Sequence, residues 1–331
     1  MAKENQPPRK VVIGTSMYAM YGGSHPYPGL RERLGELGEL VDRMAARARE
    51  NYAGAALDLA VLPEVAVNGG LQGTAAEVSF PLKGLVLEEM GEVARRNDTY
   101  VVVPMFLAEE AGEEAYSNAA VLLDRGGEVA GIYRKVHPVV ARGSSDMEGG
   151  VAPGEDFPVF ECDFGVLGMQ ICFDVCFPKG WQVLGRKGVD IVAWPTQSPQ
   201  TVLPSQYAFK HGYYVVSSTW RNNASLFAPT GLTAGRIEQP EKILVRRIDL
   251  SYALLPWQPA LRNGKALSEK YGERVGYSYS EAEDGGIFWS NDPAMPIARM
   301  VRELDLEGEG AAVDRSRKLQ DLVRGGQPSE L

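Results

Sequence analysis

The first part of the chain alternates between short, wholly apolar runs and longer stretches whose apolar residues recur every three or four positions. VVIGTSMYAM (11–20), LDLAVLPE (57–64) and TYVVVPMFLA (99–108) read as buried strands. LRERLGELGELVDRMAARAREN (30–51) and VLEEMGEVARRND (86–98) place charges between helically spaced apolar positions and are predicted helices. The Gly/Pro-rich stretch YGGSHPYPG (21–29) reads as a loop between the first strand and the first helix.

The pattern then changes. YSNAAVLLD (116–124) and EVAGIYRKV (128–136) flank Arg125-Gly126-Gly127, the signature of a hairpin. FPVFECDFGVLGMQICFD (157–174) reads as a second hairpin turning near Asp163 to Gly165. A helix over PKGWQVLGRKG (178–188), a strand over VDIVAWP (189–195) and a helix over PSQYAFKHG (204–212) follow, then the strands YYVVSST, ASLFAP, LTAGRIE and KILVRRIDL. Strand–helix alternation mixed with hairpins predicts an α/β protein with large sheets covered by helices. From Ser251 the periodicity fades into aromatics, prolines and charges. Residues 251–331 are therefore expected to form a C-terminal extension to a main domain over 1–250. It would lie on that domain's surface or pack on a partner subunit through Trp257, Tyr277, Phe288 and Trp289. AAVDRSRKLQDLVRGG (311–326) reads as a terminal helix.

Composition narrows the function. The 331 residues, 44% hydrophobic, suffice for a large core, and the net charge of −9 disfavours nucleic acid and anionic membranes as partners. No apolar run is long enough to span a bilayer, and the polar opening MAKENQPPRK lacks a secretory signal. With three sparse cysteines, a reducing cytoplasm is the expected location. The histidines, His25, His137 and His211, show no metal-ligand spacing, and there is no CxxC, GxGxxG or phosphate-binding loop. No metal or organic cofactor is expected.

Three apolar runs end on an ionisable or nucleophilic residue: LDLAVLPE on Glu64, EVAGIYRK on Lys135 and VLGMQIC on Cys172. Such groups are costly in a core unless paired, but at strand ends they can converge in a crevice beside the sheet. A carboxylate there can accept a thiol proton, an ammonium can stabilise a tetrahedral oxyanion, and the thiol can attack a carbonyl or nitrile carbon. The backbone N–H of Phe173 is a candidate second oxyanion donor.

These pieces, LAVLPE, GIYRKVHP and GMQICFDVCFP in that order, resemble the carbon–nitrogen hydrolase family, also called the nitrilase superfamily. The DGGE-like turn before the lysine strand, APGEDFPVF (152–160) and VDIVAWPT (189–196) resemble it too, so the likeness covers roughly residues 10–250. The resemblance implies a four-layer α-β-β-α sandwich over the catalytic domain 1–250, without metal or organic cofactor, paired into homodimers or larger homo-oligomers. It implies Glu64 as general base, Lys135 as stabiliser of the intermediate and Cys172 as nucleophile. It also implies a second glutamate that positions the lysine or the substrate. Glu148 matches best, with Asp146 and Glu155 behind it.

The chain departs from the family at supporting positions. Cys176 stands where an arginine is common in members acting on amide or carbamoyl substrates, Lys179 replaces a glutamate, and AFKHGYY replaces an R-A-x-E-N segment. Phe173-Asp174 after the nucleophile favours a small amide or N-carbamoyl substrate over a nitrile, which tends to accompany Trp-Glu. The alternatives are a nitrile-cleaving enzyme with the same three residues and a catalytically silent binding or assembly member. Cys162 and Cys176 are expected as small core residues. Asp174 is expected to brace the turn after Cys172, and His137 to be a supporting hydrogen-bonder. His25 and His211 are expected on the surface or in loops. Trp194 and Thr196 are candidates to wall the substrate pocket.

Overall fold

The structure, a computed structural model, describes residues 3–19, 26–109 and 115–326. His25 and most of the loop before the first helix lie outside the described residues. The chain divides into two compact units, Val11–Ile248 and a second made of Met1–Lys10 with Asp249–Leu331.

The larger unit carries two sheets. The first runs in the order Ile243–Asp249, Lys10–Ser16, Leu59–Val61, Tyr100–Ala108, Tyr116–Leu123, Val129–Arg134, with the short strand Phe80–Pro81 beside Tyr100–Ala108. Its centre is parallel, Ile13 opposite Leu59 and Leu59 opposite Tyr100, and the predicted hairpin adds two antiparallel strands. The second sheet runs Thr233–Arg236, Ser225–Phe227, Tyr214–Ser218, Ile191–Pro195, Gly165–Met169, Val159–Cys162. It too has a parallel centre and antiparallel flanks. Parallel strands are covered on both faces, which is why these segments are apolar almost without interruption.

Helices cover the outer faces. Leu34, Leu37, Val41 and Met44 of helix Leu30–Asn51, with Val86, Met90 and Val93 of helix Leu85–Asn97, share one core with Val12, Ala60, Val101, Val103, Ala119 and Val121 of the first sheet. On the second sheet, helix Pro178–Arg186 brings Trp181 edge-on to Trp194, ring centroids 6.5 Å apart. Glycines allow the close approach on both sides. A Cβ at Gly14 would lie 2.7 Å from Met44 Sδ, and one at Gly168 would lie 3.0 Å from Leu184. The inner faces meet at polar positions: Thr15 Oγ1 donates to the Ser217 carbonyl at 2.6 Å, and Ser16 Oγ lies 3.2 Å from Ser218 Oγ. The architecture is the expected α-β-β-α sandwich.

The second unit has more structure than its sequence pattern suggested. Tyr252–Pro256, Gly285–Ser290 and Val275–Ser280 form an antiparallel sheet with Gly285–Ser290 in the middle. Helices Lys265–Tyr271 and Ile297–Arg302 close a core of Leu255, Leu261, Leu267, Phe288, Ile297 and Met300. The N-terminal segment is tied in where Lys10 Nζ meets Asp249 Oδ2 at 2.9 Å. This corrects the reading of Phe288 as a partner-facing aromatic: it is fully buried in its own unit, with Tyr277 stacked on it at 5.4 Å. Trp289 faces Lys10 in a cation–π contact at 5.7 Å, and Trp257 is exposed. The terminal helix, Glu309–Val323, forms as predicted and leaves Leu319, Leu322 and Val323 exposed.

Candidate active site

Each of the three chemical residues stands just past a strand of the larger unit. Pro63 cannot donate to the ladder, so the chain leaves the sheet after strand Leu59–Val61 and turns, with Ala66 N donating to the Pro63 carbonyl at 3.1 Å. Glu64 sits in that turn, and Trp220 Nε1 holds its carbonyl at 2.8 Å. Lys135 follows strand Val129–Arg134 and keeps one more ladder bond, its N–H to the Asn118 carbonyl at 2.8 Å. Cys172 lies further from its strand than the sequence suggested. The strand ends at Met169, and Cys172 opens a 3₁₀ turn, Cys172–Cys176.

Cys172 has φ +41°, a conformation that costs a non-glycine residue about 1–3 kcal/mol. The surroundings enforce it. Trp194 Nε1 donates to the Cys172 carbonyl at 3.1 Å. The fully buried Asp174 carboxylate accepts from Ile171 N–H at 2.9 Å, Tyr133 O–H at 2.8 Å and His137 N–H at 3.0 Å, with His137 Nδ1 2.8 Å away. Asp174 and His137 thus have the bracing roles expected of them. Val65, next to Glu64, and Glu148 also have positive φ, +47° and +46°. Strain of this kind concentrates at functional sites.

The centre of the cluster is the Lys135 ammonium. Its side chain is 1% exposed, and Nζ donates to Glu64 Oε1 at 2.8 Å and to Glu148 Oε1 at 2.5 Å. Burial works against its charge, but the Glu64 and Glu148 carboxylates outweigh burial and hold its pKa well above the ordinary lysine value. Glu148 is anchored in turn by the Val139 N–H at 2.9 Å. Asp146 and Glu155 stay exposed and take no part.

Asn118 was not singled out in the sequence. Its Nδ2 donates to Glu64 Oε1 at 3.0 Å and to Glu148 Oε2 at 2.8 Å. The signal was present: one amide side chain in YSNAAVLL, a strand otherwise fit for a core, needs buried partners. With Oε1 engaged twice, Glu64 Oε2 is buried and has no hydrogen-bond partner among the described residues.

The thiol completes the set. Burial, and then the negative charge of Glu64, push the Cys172 pKa up to about 12, while Lys135, the Thr196 hydroxyl and the Gln197 N–H pull it back. At neutral pH the sulfur therefore rests as a thiol and needs a base to become nucleophilic.

Other candidates are placed differently. Thr196 is fully buried and bonds the sulfur. Trp194, also fully buried, anchors the Cys172 backbone through its Nε1. The Phe173 ring is exposed, edge-on to Phe177 at 5.5 Å. Cys176 is exposed, not a core residue, because the chain left the sheet before reaching it; Cys162 is half-buried. His211 ends helix Val202–His211, stacked near Tyr207 at 6.3 Å. Among the described residues no group of three His, Cys, Asp or Glu could hold a metal ion. Among them, too, no helix is long and apolar enough to cross a membrane.

Residues 22–254 match the model of the carbon–nitrogen hydrolase family. The chain belongs to this family. Among curated proteins, this carbon–nitrogen hydrolase is 30% identical over 193 residues to the formamidase of Pseudomonas syringae pv. tomato, covering 57% of this chain and 52% of that protein. It is 31% identical over 177 residues to the deaminated glutathione amidase of Synechocystis sp., covering 51% and 61%. The match to the formamidase thus spans about half of that relative's length. Among solved structures, an amidase from Nesterenkonia sp. superposes with TM-score 0.60 at 20% identity, covering 74% of this chain and 92% of that one. The Saccharomyces cerevisiae protein Nit3, of branch 10 of the nitrilase superfamily, gives TM-score 0.58 at 18% identity, covering 73% and 90%. At such identities the superpositions establish the fold of this family member.

Proposed function

We propose that the chain hydrolyses a non-peptide C–N bond of a small amide or N-carbamoyl compound through a thioester on Cys172. The observation that carries this reading is the buried Lys135 ammonium held by two carboxylates, one of which keeps an oxygen, Glu64 Oε2, without a partner. That oxygen is suited to take the thiol proton as sulfur attacks the carbonyl carbon. The oxyanion that forms is stabilised by the Lys135 ammonium and the Phe173 N–H. Collapse breaks the C–N bond, and the leaving nitrogen takes the proton back from Glu64, departing as ammonia or amine. Water then attacks the thioester, gives its proton to Glu64 and releases the acid, and Cys172 recovers its proton. Amidase-named relatives and the Phe173-Asp174 pair favour amides. The family's pairing into homo-oligomers is proposed for this chain as well.

Ammonia release from a panel of primary amides, N-carbamoyl amines and nitriles tests the reading. Turnover of at least one amide or carbamoyl compound is expected. Turnover of nitriles alone would move the chemistry to a thioimidate, and release from none would leave a silent family member.

A further inference from the structure

We propose that Asn118 is a positioning residue: its amide pins Glu64 Oε1 and Glu148 Oε2, and so keeps Glu64 Oε2 as the oxygen that accepts the Cys172 proton. This rests on the base role of Glu64 given above and adds what fixes that base. A carboxylate has two equivalent oxygens and rotates easily, so a lone ion pair with Lys135 does not decide which oxygen faces the sulfur. Two donors on the same oxygen do. Lys135 Nζ at 2.8 Å and Asn118 Nδ2 at 3.0 Å both end on Oε1, and the Glu64 side chain loses its rotational freedom.

Chemistry fixes the orientation of the Asn118 amide. Its NH₂ group faces two carboxylates, both acceptors, so the flipped amide would set its oxygen against two negative charges. The fixed orientation has a cost. Asn118 is 1% exposed, and its Oδ1 is buried with no hydrogen-bond partner among the described residues. A buried acceptor left unmade costs about 1–3 kcal/mol. An apolar residue here would spare that cost but would take a donor from Glu64 Oε1 and from Glu148 Oε2, so the amide is kept for the carboxylates it holds. Asn118 also ties Glu148 to Glu64 through the same nitrogen, so the carboxylates flanking Lys135 keep their spacing. The Asn118 carbonyl receives the Lys135 N–H at 2.8 Å, which places the residue between the base and the oxyanion stabiliser.

The test compares Asn118→Ala and the isosteric Asn118→Asp with wild type, using propionamide or whichever amide of the panel is turned over. Both variants should lower kcat about 10²-fold at pH 8, with KM within about threefold. The two should part on acidification. An aspartate beside two carboxylates takes up a proton readily and then has an O–H to donate, so at pH 5.5 the Asn118→Asp loss should shrink to under about tenfold. Asn118→Ala should show no such recovery. Wild-type kcat in Asn118→Ala, a loss confined to KM, or equal losses at both pH values in Asn118→Asp would overturn the proposal. A second readout needs no turnover. Iodoacetamide labelling at pH 7.5, mapped by mass spectrometry, should modify Cys172 about tenfold more slowly in folded Asn118→Asp than in wild type, with Cys176 unchanged. A slowed Cys172 in an enzyme that hydrolyses no amide would refute the amidase reading and keep the role of Asn118; an unslowed Cys172 would refute that role.

Discussion

Cys172→Ala should abolish amide turnover, lowering kcat by at least about 10⁴-fold, while Cys176→Ala keeps most of the wild-type rate. The asymmetry follows from position. Cys172 opens the 3₁₀ turn in a strained conformation, bonded at its carbonyl by Trp194 and at its sulfur by Thr196 and Gln197, within the charge field of Glu64 and Lys135. Cys176 is at the other end of that turn, exposed to solvent. Removing the sulfur removes the atom that bonds to the substrate, and no neighbouring group can replace it. The alanine variant should still fold, since the bonds that hold the turn at the Cys172 carbonyl and at Asp174 do not involve the sulfur. Comparable ammonia release from wild type and Cys172→Ala would end the enzyme reading.

Lys135→Met should lose activity and stability together. The side chain is 1% exposed and is the cation that Glu64 and Glu148 share. Methionine fills the space but leaves two buried carboxylates facing each other, at a cost of about 3–5 kcal/mol. That is a large part of the stability of an ordinary domain, about 5–15 kcal/mol. The sign of the pH dependence is fixed. In the wild type Lys135 is held above its ordinary value, so its contribution is complete below pH 10.5 and is lost only as pH rises through the higher folded value. In the variant the uncompensated carboxylates bind protons more tightly folded than unfolded. The deficit should therefore be larger at pH 8 than at pH 5, as urea unfolding at the two pH values would show. Activity should fall by at least about 10²–10³-fold, because the oxyanion loses its charged partner. Equal stability of Lys135→Met and wild type at pH 8 would contradict the buried-triad geometry.

How much of this was legible in the sequence depended on how each residue contrasts with its neighbours. Glu64 and Lys135 stood out because an ionisable residue closing an apolar run demands a partner, and their strands formed as read. The hairpin pairing Tyr116–Leu123 with Val129–Arg134 followed from its Gly-Gly turn. Cys172 was legible as a residue but not as a conformation, since nothing in GMQICFD marks where the strand stops and a positive φ begins. Glu148 came into view only through family resemblance, because it sits in an irregular loop whose path periodicity does not encode. Asn118 was hidden by its surroundings, a polar residue within a strand that scores as core. The sheet of the second unit was missed for the opposite reason. VGYSYS alternates serine and tyrosine, and the apolar side that marks a strand is weak there, although Phe288 on the neighbouring strand is fully buried.

The most direct measurement mixes the enzyme with a turned-over primary amide, quenches in acid within milliseconds, and maps the modified peptide by mass spectrometry. The expected result is an acyl group on Cys172, at the mass of the amide less ammonia, removed by hydroxylamine and absent from Cys172→Ala. Turnover with Cys172 unmodified at every quench time, or with the acyl group on Cys162 or Cys176, would contradict it.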